Sequence, residues 1–120
     1  MKILIVDDSK AMRMIVMRTL RQAGFGGHEL LEAANGREAL TVAQAAAPDL
    51  VLSDWNMPEL NGPALLRELQ AAGSRVKFGF VTSECTPDMQ ETASELGALF
   101  LIAKPFTARG FQRVLESVLA

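Results

Sequence analysis

Acidic, hydroxyl and ammonium side chains recur in this chain at one kind of place, directly after a run of mostly apolar residues. Asp7 and Asp8 close the run from Lys2 to Val6, and Asp54 closes the run from Asp49 to Ser53. Thr82 ends a run that begins near Val76, and Lys104 with Pro105 follows the run from Leu99 to Ala103. Each run reads as a buried strand. If the strands lie parallel in one sheet, all of these groups arrive at its carboxyl edge, where open α/β sheets bind ligands. Carboxylates crowded there repel one another and call for a divalent cation with hard oxygen ligands. Mg²⁺ fits best, because one or two carboxylates, waters and a phosphate complete its octahedron.

The residue types point to phosphoryl chemistry. A carboxylate such as Asp54 is a competent covalent nucleophile. The Thr82 hydroxyl can hydrogen-bond a ligand oxygen, and Lys104 is a compact cation able to reach a phosphate. Phosphoryl transfer asks for in-line positioning, a bridging metal and cationic or hydrogen-bonding groups around the oxygens. Each residue also has a plainer reading. Asp7 and Asp8 could simply complement the dipole of a helix start. Asp54 could be a turn aspartate, Thr82 a strand end and Lys104 a solvated loop lysine. Their joint placement after strands one, three, four and five is what favours a site.

Strand-like and helix-like segments alternate along the chain, the pattern of an α/β domain with a parallel sheet. Strands are expected near 2–6, 28–33, 49–53, 76–81 and 98–103. Most are near-continuous apolar runs, as in strands covered on both faces by helices. The second carries Glu29 and Glu32 and is the expected edge strand. A first helix from about Ser9 to Gln22 should bury Met12, Ile15, Val16, Thr19 and Leu20, with Gly24 ending it. Asn35 with Glu38 starts a second helix that stops before Pro48. Asn61-Gly62-Pro63 opens a third and Thr86-Pro87 caps a fourth. The last, from about Thr107 to Leu119, buries Phe111, Val114, Leu115 and Val118.

Composition restricts the partners. The chain has 120 residues, 49% of them hydrophobic, which suits one domain spanning 1–120. A chain of this length buries roughly 65% of its unfolded surface. Twelve basic against fourteen acidic residues give a formal charge of −2 with no basic cluster, so neither nucleic acid nor an anionic membrane is an expected partner. No apolar run has the length of a membrane span, and the N-terminus lacks the apolar stretch of a signal peptide. A single cysteine, Cys85, excludes an internal disulfide and sets a cytoplasmic expectation.

Four pieces in order, Val6-Asp7-Asp8-Ser9, Ser53-Asp54-Trp55-Asn56-Met57-Pro58 with Asn61-Gly62, Val81-Thr82-Ser83-Glu84 and Lys104-Pro105-Phe106-Thr107, carry a family resemblance. Over its whole length the chain resembles a response-regulator receiver domain, most closely the single-domain members of chemotaxis systems. The resemblance implies a flavodoxin-like (βα)5 fold, a doubly wound parallel five-stranded sheet in the order 2-1-3-4-5. It implies that Asp54 accepts a phosphoryl group from the phosphohistidine of a histidine kinase. Asp8, Asp54 and the main-chain carbonyl of Asn56 would ligate Mg²⁺, with Asp7 acting through water. Thr82 and Lys104 would hold the phosphoryl oxygens, while Asn56 and Glu84 would tune access of water to the acyl phosphate. Further implied partners are a downstream target or phosphotransfer protein and a phosphatase. Output is expected on the face made by the fourth helix, fifth strand and fifth helix. The family often carries an aromatic residue three positions before the lysine, coupled as a switch to the threonine. Here that position is Leu101 and the neighbouring aromatic is Phe100, so a motor partner that reads the aromatic would meet a leucine.

Other readings remain open at this point. A small phosphohydrolase working through Asp54 would normally carry a second acid two residues later, where this chain has Asn56. A flavodoxin-type electron carrier would need a Ser/Thr/Gly phosphate loop after the first strand, and Asp7-Asp8-Ser9 has the wrong charge. A relay or phosphate-sink receiver with no motor target is an alternative output. His28, the only histidine, lies far from the site, and Gly24 to Gly27 form a turn without the spacing of a dinucleotide loop. Trp55 flanks the site, and Pro105 follows the lysine as it does in the family, where the bond is cis.

Overall fold

The apolar runs become strands because helices can bury both of their faces, and each run stops where a polar or turn residue interrupts it. The computed structural model describes residues 1–119. Its elements are β1 (Lys2–Val6), α1 (Lys10–Leu20), β2 (Glu29–Ala33), α2 (Gly36–Ala46), β3 (Leu50–Ser53), α3 (Gly62–Ala71), β4 (Lys77–Thr82), α4 (Pro87–Glu95), β5 (Phe100–Ala103) and α5 (Ala108–Leu119). The strands form one five-stranded sheet in the order β2-β1-β3-β4-β5, with every neighbouring pair parallel. The flavodoxin-like order is therefore as the family resemblance implied, and the edge position of β2 as its residues suggested. Among the described residues no helix is long and apolar enough to cross a membrane.

Pleating sends alternate strand residues to opposite faces. Leu4, Val6, Val51, Phe78 and Phe80 meet residues of α2, α3 and α4, including Ala39, Leu65, Leu66 and Ala93. On the other face, Ile3, Ile5, Leu50, Leu52, Val81 and Ile102 meet Val16 and Leu20 of α1 and Phe111 and Leu115 of α5. Phe111 and Leu115 are fully buried, which contributes about 1.5–3 kcal/mol each. These two seams fix where the loops at the carboxyl edge begin.

Side-chain caps fix where four of the helices start. Ser9 Oγ accepts from the Met12 N–H at 3.2 Å and Asn35 Oδ1 from that of Glu38 at 2.7 Å. Asn61 Oδ1 accepts from the Ala64 N–H at 2.9 Å, and Thr86 Oγ1 from that of Met89 at 3.1 Å. Such a cap is worth about 1 kcal/mol. All four lie on the carboxyl side of the sheet, so the loops that carry the candidate residues are held at both ends.

Several details depart from the sequence expectation, among them Met12, Val114 and Val118, which are half-buried rather than buried. Regular α-helical bonding in the first helix stops at Leu20, and a wider π turn over Arg21–Phe25 follows. Gly24 closes that turn at φ 97°, and the extra turn carries Ala23 into the core. Ile15 was expected in the buried stripe but is 39% exposed. It borders a surface depression with Ala11, Met14, Met17, Arg18 and Arg21. β5 starts at Phe100 rather than at 98, because the Ala98 N–H still bonds back to the Ala93 carbonyl of α4 at 2.9 Å.

α2 ends in a left-handed residue, Ala47, at φ 49° and ψ 63°, before Pro48. A side chain with a Cβ is disfavoured there, and glycine is the usual occupant of this position. Ala47→Gly is therefore expected to stabilise the fold by ~0.5–1 kcal/mol, the relief of left-handed strain less the greater freedom glycine gives the unfolded chain. Urea denaturation checks this: the midpoint should rise at unchanged slope, and an unchanged or lower midpoint would refute it.

Candidate functional site

β1 and β3 are neighbours, so the residues that follow them come together at the sheet edge. Asp54 extends the pairing by one more bond, its N–H donating to the Val6 carbonyl at 2.9 Å. The Asp7 N–H donates to the Ala33 carbonyl of β2 at 3.2 Å. Asp7, Asp8 and Asp54 each offer a carboxylate oxygen, and these oxygens lie within 4.8 Å of one another. Asp7 is buried and Asp8 exposed, with Asp54 between the two.

Each carboxylate is held differently. Asp7 Oδ1 accepts from the Ser9 N–H at 2.9 Å, and its Oδ2 accepts from Lys104 Nζ at 3.1 Å. Asp54 Oδ1 accepts from the Trp55 N–H at 2.7 Å, while its Oδ2 lies 3.6 Å from Lys104 Nζ. Lys104 thus straddles two of the three carboxylates. Its own backbone N–H donates to the Thr82 carbonyl at 2.8 Å, which ties the β5 loop to the end of β4. The Lys104–Pro105 bond is cis.

The loop after Asp54 is shaped by close packing. The Gly62 N–H donates to the Trp55 carbonyl at 2.9 Å, and Glu59 takes a left-handed φ of 68° on the way. A Cβ at Gly62 would collide with the Asp54 carbonyl and come within 2.7 Å of the Phe80 ring. Only glycine lets α3 start this close to the candidate nucleophile. Trp55 packs on Phe80 with ring centroids 4.7 Å apart.

The remaining candidates sit around this centre. Thr82 is buried at the end of β4, where its Oγ1 accepts a long 3.4 Å bond from the Glu84 N–H. Asn56 and Glu84 are exposed on the loops after β3 and β4. Leu101 is half-buried on β5 opposite Phe80, two pairing steps before Thr82 meets Ala103 and on the same face as that pair. His28 is elsewhere, its Nδ1 3.2 Å from the amino group of Met1. Cys85 is exposed, with Gln90 Nε2 donating to its sulfur at 3.0 Å.

Sequence reasoning did not single out Arg13. Its Nη1 donates to the Asp7 carbonyl at 2.8 Å and its Nε to Glu32 Oε1 at 3.0 Å. The available signal was an arginine one turn after the helix start, with an acid near the end of the edge strand.

Burial pushes the Asp54 carboxyl above the ordinary carboxylate range, opposed by Lys104, reinforced by the Asp7 charge and opposed again by the Trp55 N–H. The folded chain therefore holds this proton to higher pH than the unfolded chain does. An ionised Asp54 costs stability fully above its folded-state pKa, and the cost vanishes below the unfolded value. Asp54→Asn should accordingly be more stable than the parent protein at neutral pH in EDTA. That gain should shrink as pH falls through the folded-state pKa, and denaturation at a series of pH values will show it. Equal stabilities throughout would contradict the burial argument.

Comparison with known proteins follows the same geometry. The family model described as the response regulator receiver domain matches residues 3–116. The chain is 38% identical to the chemotaxis protein CheY1 of Helicobacter pylori over 122 residues, covering 99% of this chain and 97% of that one. It is 37% identical to the chemotaxis protein CheY of Pseudomonas aeruginosa over 121 residues, covering 98% and 95% respectively. The solved structure of Vibrio cholerae chemotaxis protein CheY4 matches with a TM-score of 0.86 at 34% identity, over 98% of this chain and 97% of that chain. The chain belongs to the response regulator receiver domain family.

Proposed function

We propose that this chain is a single-domain, cytoplasmic response regulator that takes a phosphoryl group on Asp54 from the phosphohistidine of a histidine kinase. The observation that carries the reading is Lys104 Nζ poised at 3.1 Å from Asp7 and 3.6 Å from Asp54, beside an open acidic edge. A lysine in that position is placed for phosphoryl oxygens as well as for carboxylates. The three carboxylates are the hard oxygen donors Mg²⁺ prefers. Their mutual spacing of up to 4.8 Å compares with oxygens about 3–4 Å apart around this ion. Asp8, Asp54 and the Asn56 carbonyl would hold it directly and Asp7 through water, and when bound it would neutralise charge on the phosphoryl oxygens.

In the transfer step Asp54 Oδ2 attacks phosphorus while Oδ1 stays on the Trp55 N–H. A P–O bond forms as the P–N bond of the donor breaks, and the departing imidazole takes up a proton. Lys104 follows the charge from carboxylate to phosphoryl oxygen, and Thr82 gains an acceptor for its hydroxyl. Asn56 and Glu84, exposed at the mouth, tune how readily water hydrolyses the acyl phosphate. The chain acts as a phosphoacceptor rather than as an enzyme for external substrates. Asn56, where an aspartate phosphatase would carry its second acid, supports that distinction. The named chemotaxis relatives support a chemotaxis-type pathway, with a target or phosphotransfer protein and a phosphatase as further partners. Leu101 favours a relay or sink output over a motor contact that depends on an aromatic.

Acetyl phosphate with Mg²⁺ should add one phosphoryl group at Asp54, as an acid-labile, hydroxylamine-sensitive adduct seen by mass spectrometry. Asp54→Asn keeps the shape and should lose the label completely. Stoichiometric labelling of that variant would place the acceptor elsewhere.

Transmission should follow Thr82. Drawing its hydroxyl toward a phosphoryl group frees space beside the loop after β4, into which Leu101 can repack. Beryllofluoride, a phosphoryl mimic, should therefore cause large NMR shifts at Ser83–Gln90 and Leu101 and small ones on α2. Shifts restricted to Asp7, Asp8, Asp54 and their neighbours would show that the α4, β5 and α5 face does not respond.

A further inference from the structure

We propose that Arg13 is a positioning residue for the acidic site, acting through the Asp7–Asp8 peptide, and that Glu32 on the edge strand aims it. The inference rests on the Mg²⁺ reading above.

Asp8 is exposed and sits between two anchored residues. Asp7 is anchored at four points: its N–H on Ala33, its Oδ1 under the Ser9 N–H, its Oδ2 at Lys104 and its carbonyl under Arg13. The last of these differs in kind. The Asp7 carbonyl belongs to the peptide plane that joins Asp7 to Asp8, so a donor fixed on it sets how that plane is turned. The plane in turn sets the direction in which the Asp8 side chain leaves the backbone. The carboxylate of Asp8 thus takes its aim from a group on the helix.

Arg13 is suited to this because its guanidinium is a rigid planar fork. One arm reaches the Asp7 carbonyl at 2.8 Å and Nε meets Glu32 at 3.0 Å, with the Arg13 side chain only 13% exposed. Glu32, with Glu29, made β2 look like an edge strand, and here its charge has a second consequence. It holds the fork in register with the loop and offsets part of the positive charge that Arg13 brings near a cation site. The arrangement links β2, α1 and the end of β1, so a slip of the edge strand would be felt at Asp8.

Charge and position pull in opposite directions, which gives the test its sign. Removing a cation near the carboxylates should, by Coulomb attraction alone, tighten Mg²⁺ binding. Losing the aim of Asp8 should weaken it, because groups that orient metal ligands typically matter by about 10–100-fold in affinity. The Mg²⁺ Kd is read by titration of Trp55 emission, Trp55 being the sole tryptophan. Melting curves of each variant report folding separately. We expect Arg13→Gln to raise the Kd about 10-fold. Arg13→Lys keeps the charge but cannot span both partners, and should raise the Kd by a smaller factor. Should Arg13→Gln fail to fold, the Arg13→Lys titration decides alone. A lower melting temperature with an unchanged or tighter Kd would make Arg13 merely structural and overturn the inference. A parent protein whose emission does not respond to Mg²⁺ would overturn the metal reading and this one with it.

Discussion

Asp7, Asp8 and Asp54 offer oxygens within 4.8 Å of one another, a separation at which each ionised pair repels by roughly 3–4 kcal/mol at an effective dielectric of about 20. Attraction to Lys104, at 3.1 and 3.6 Å from two of them, is the nearest source of compensation. Three negative charges and one positive still leave two unmatched, so the edge is formally balanced only when a dication joins it. Buried ion pairs are weak evidence for stability in general. Here the burial is graded, from covered Asp7 through half-buried Asp54 to open Asp8. Burial is what raises the pKa of Asp54, with Lys104 opposing it and the Asp7 charge adding to it.

The rest of the fold can be understood as holding this frustrated edge in place. Strand pairing locates Asp7 and Asp54 through backbone bonds to Ala33 and Val6, and Lys104 through a bond to Thr82. None of these depends on the carboxylates or the ammonium of the candidate site. Helix caps at Ser9, Asn61 and Thr86 close the loops on their far sides. A site on such a scaffold can be reorganised by a ligand without loss of the sheet, because the sheet's stability resides in apolar seams on its two faces.

Much of this was legible in the sequence, for an identifiable reason. Strands buried on both faces leave near-continuous apolar runs, so the polar residue that ends each run also marks the sheet edge. Asp7, Asp54, Thr82 and Lys104 could be placed that way, and Asn35, Asn61 and Thr86 announced their helices. What could not be read depends on contacts between elements. The helical period put Ile15 in the buried stripe, but only the positions of α1 and α5 decide which flank is covered. Arg13 carried only a weak local signal, because its significance comes from a carbonyl and a strand that lie beside it only in the fold. The π turn at Arg21–Phe25 was hidden because local spacing does not distinguish a widened last turn from a regular one.

The pairing of β4 with β5 bears on how the site communicates. Leu101 lies opposite Phe80 and packs with the α2, α3 and α4 side, whereas Phe100 packs with the α1 and α5 side. The Phe100 ring fills the space over Gly79 that a Cβ there would occupy, so it is seated on its own face. Neighbouring strand residues point to opposite faces, and exchanging them needs a one-residue slip of the whole strand. Phe100 therefore cannot stand in for an aromatic at 101, however close it is in sequence. The residue available to respond beside Thr82 is an aliphatic one with no hydroxyl to hydrogen-bond. Ligands shift a conformational equilibrium only by their differential interaction with its two states. In this chain any such difference on the Leu101 side would come from packing against Phe80 and α4.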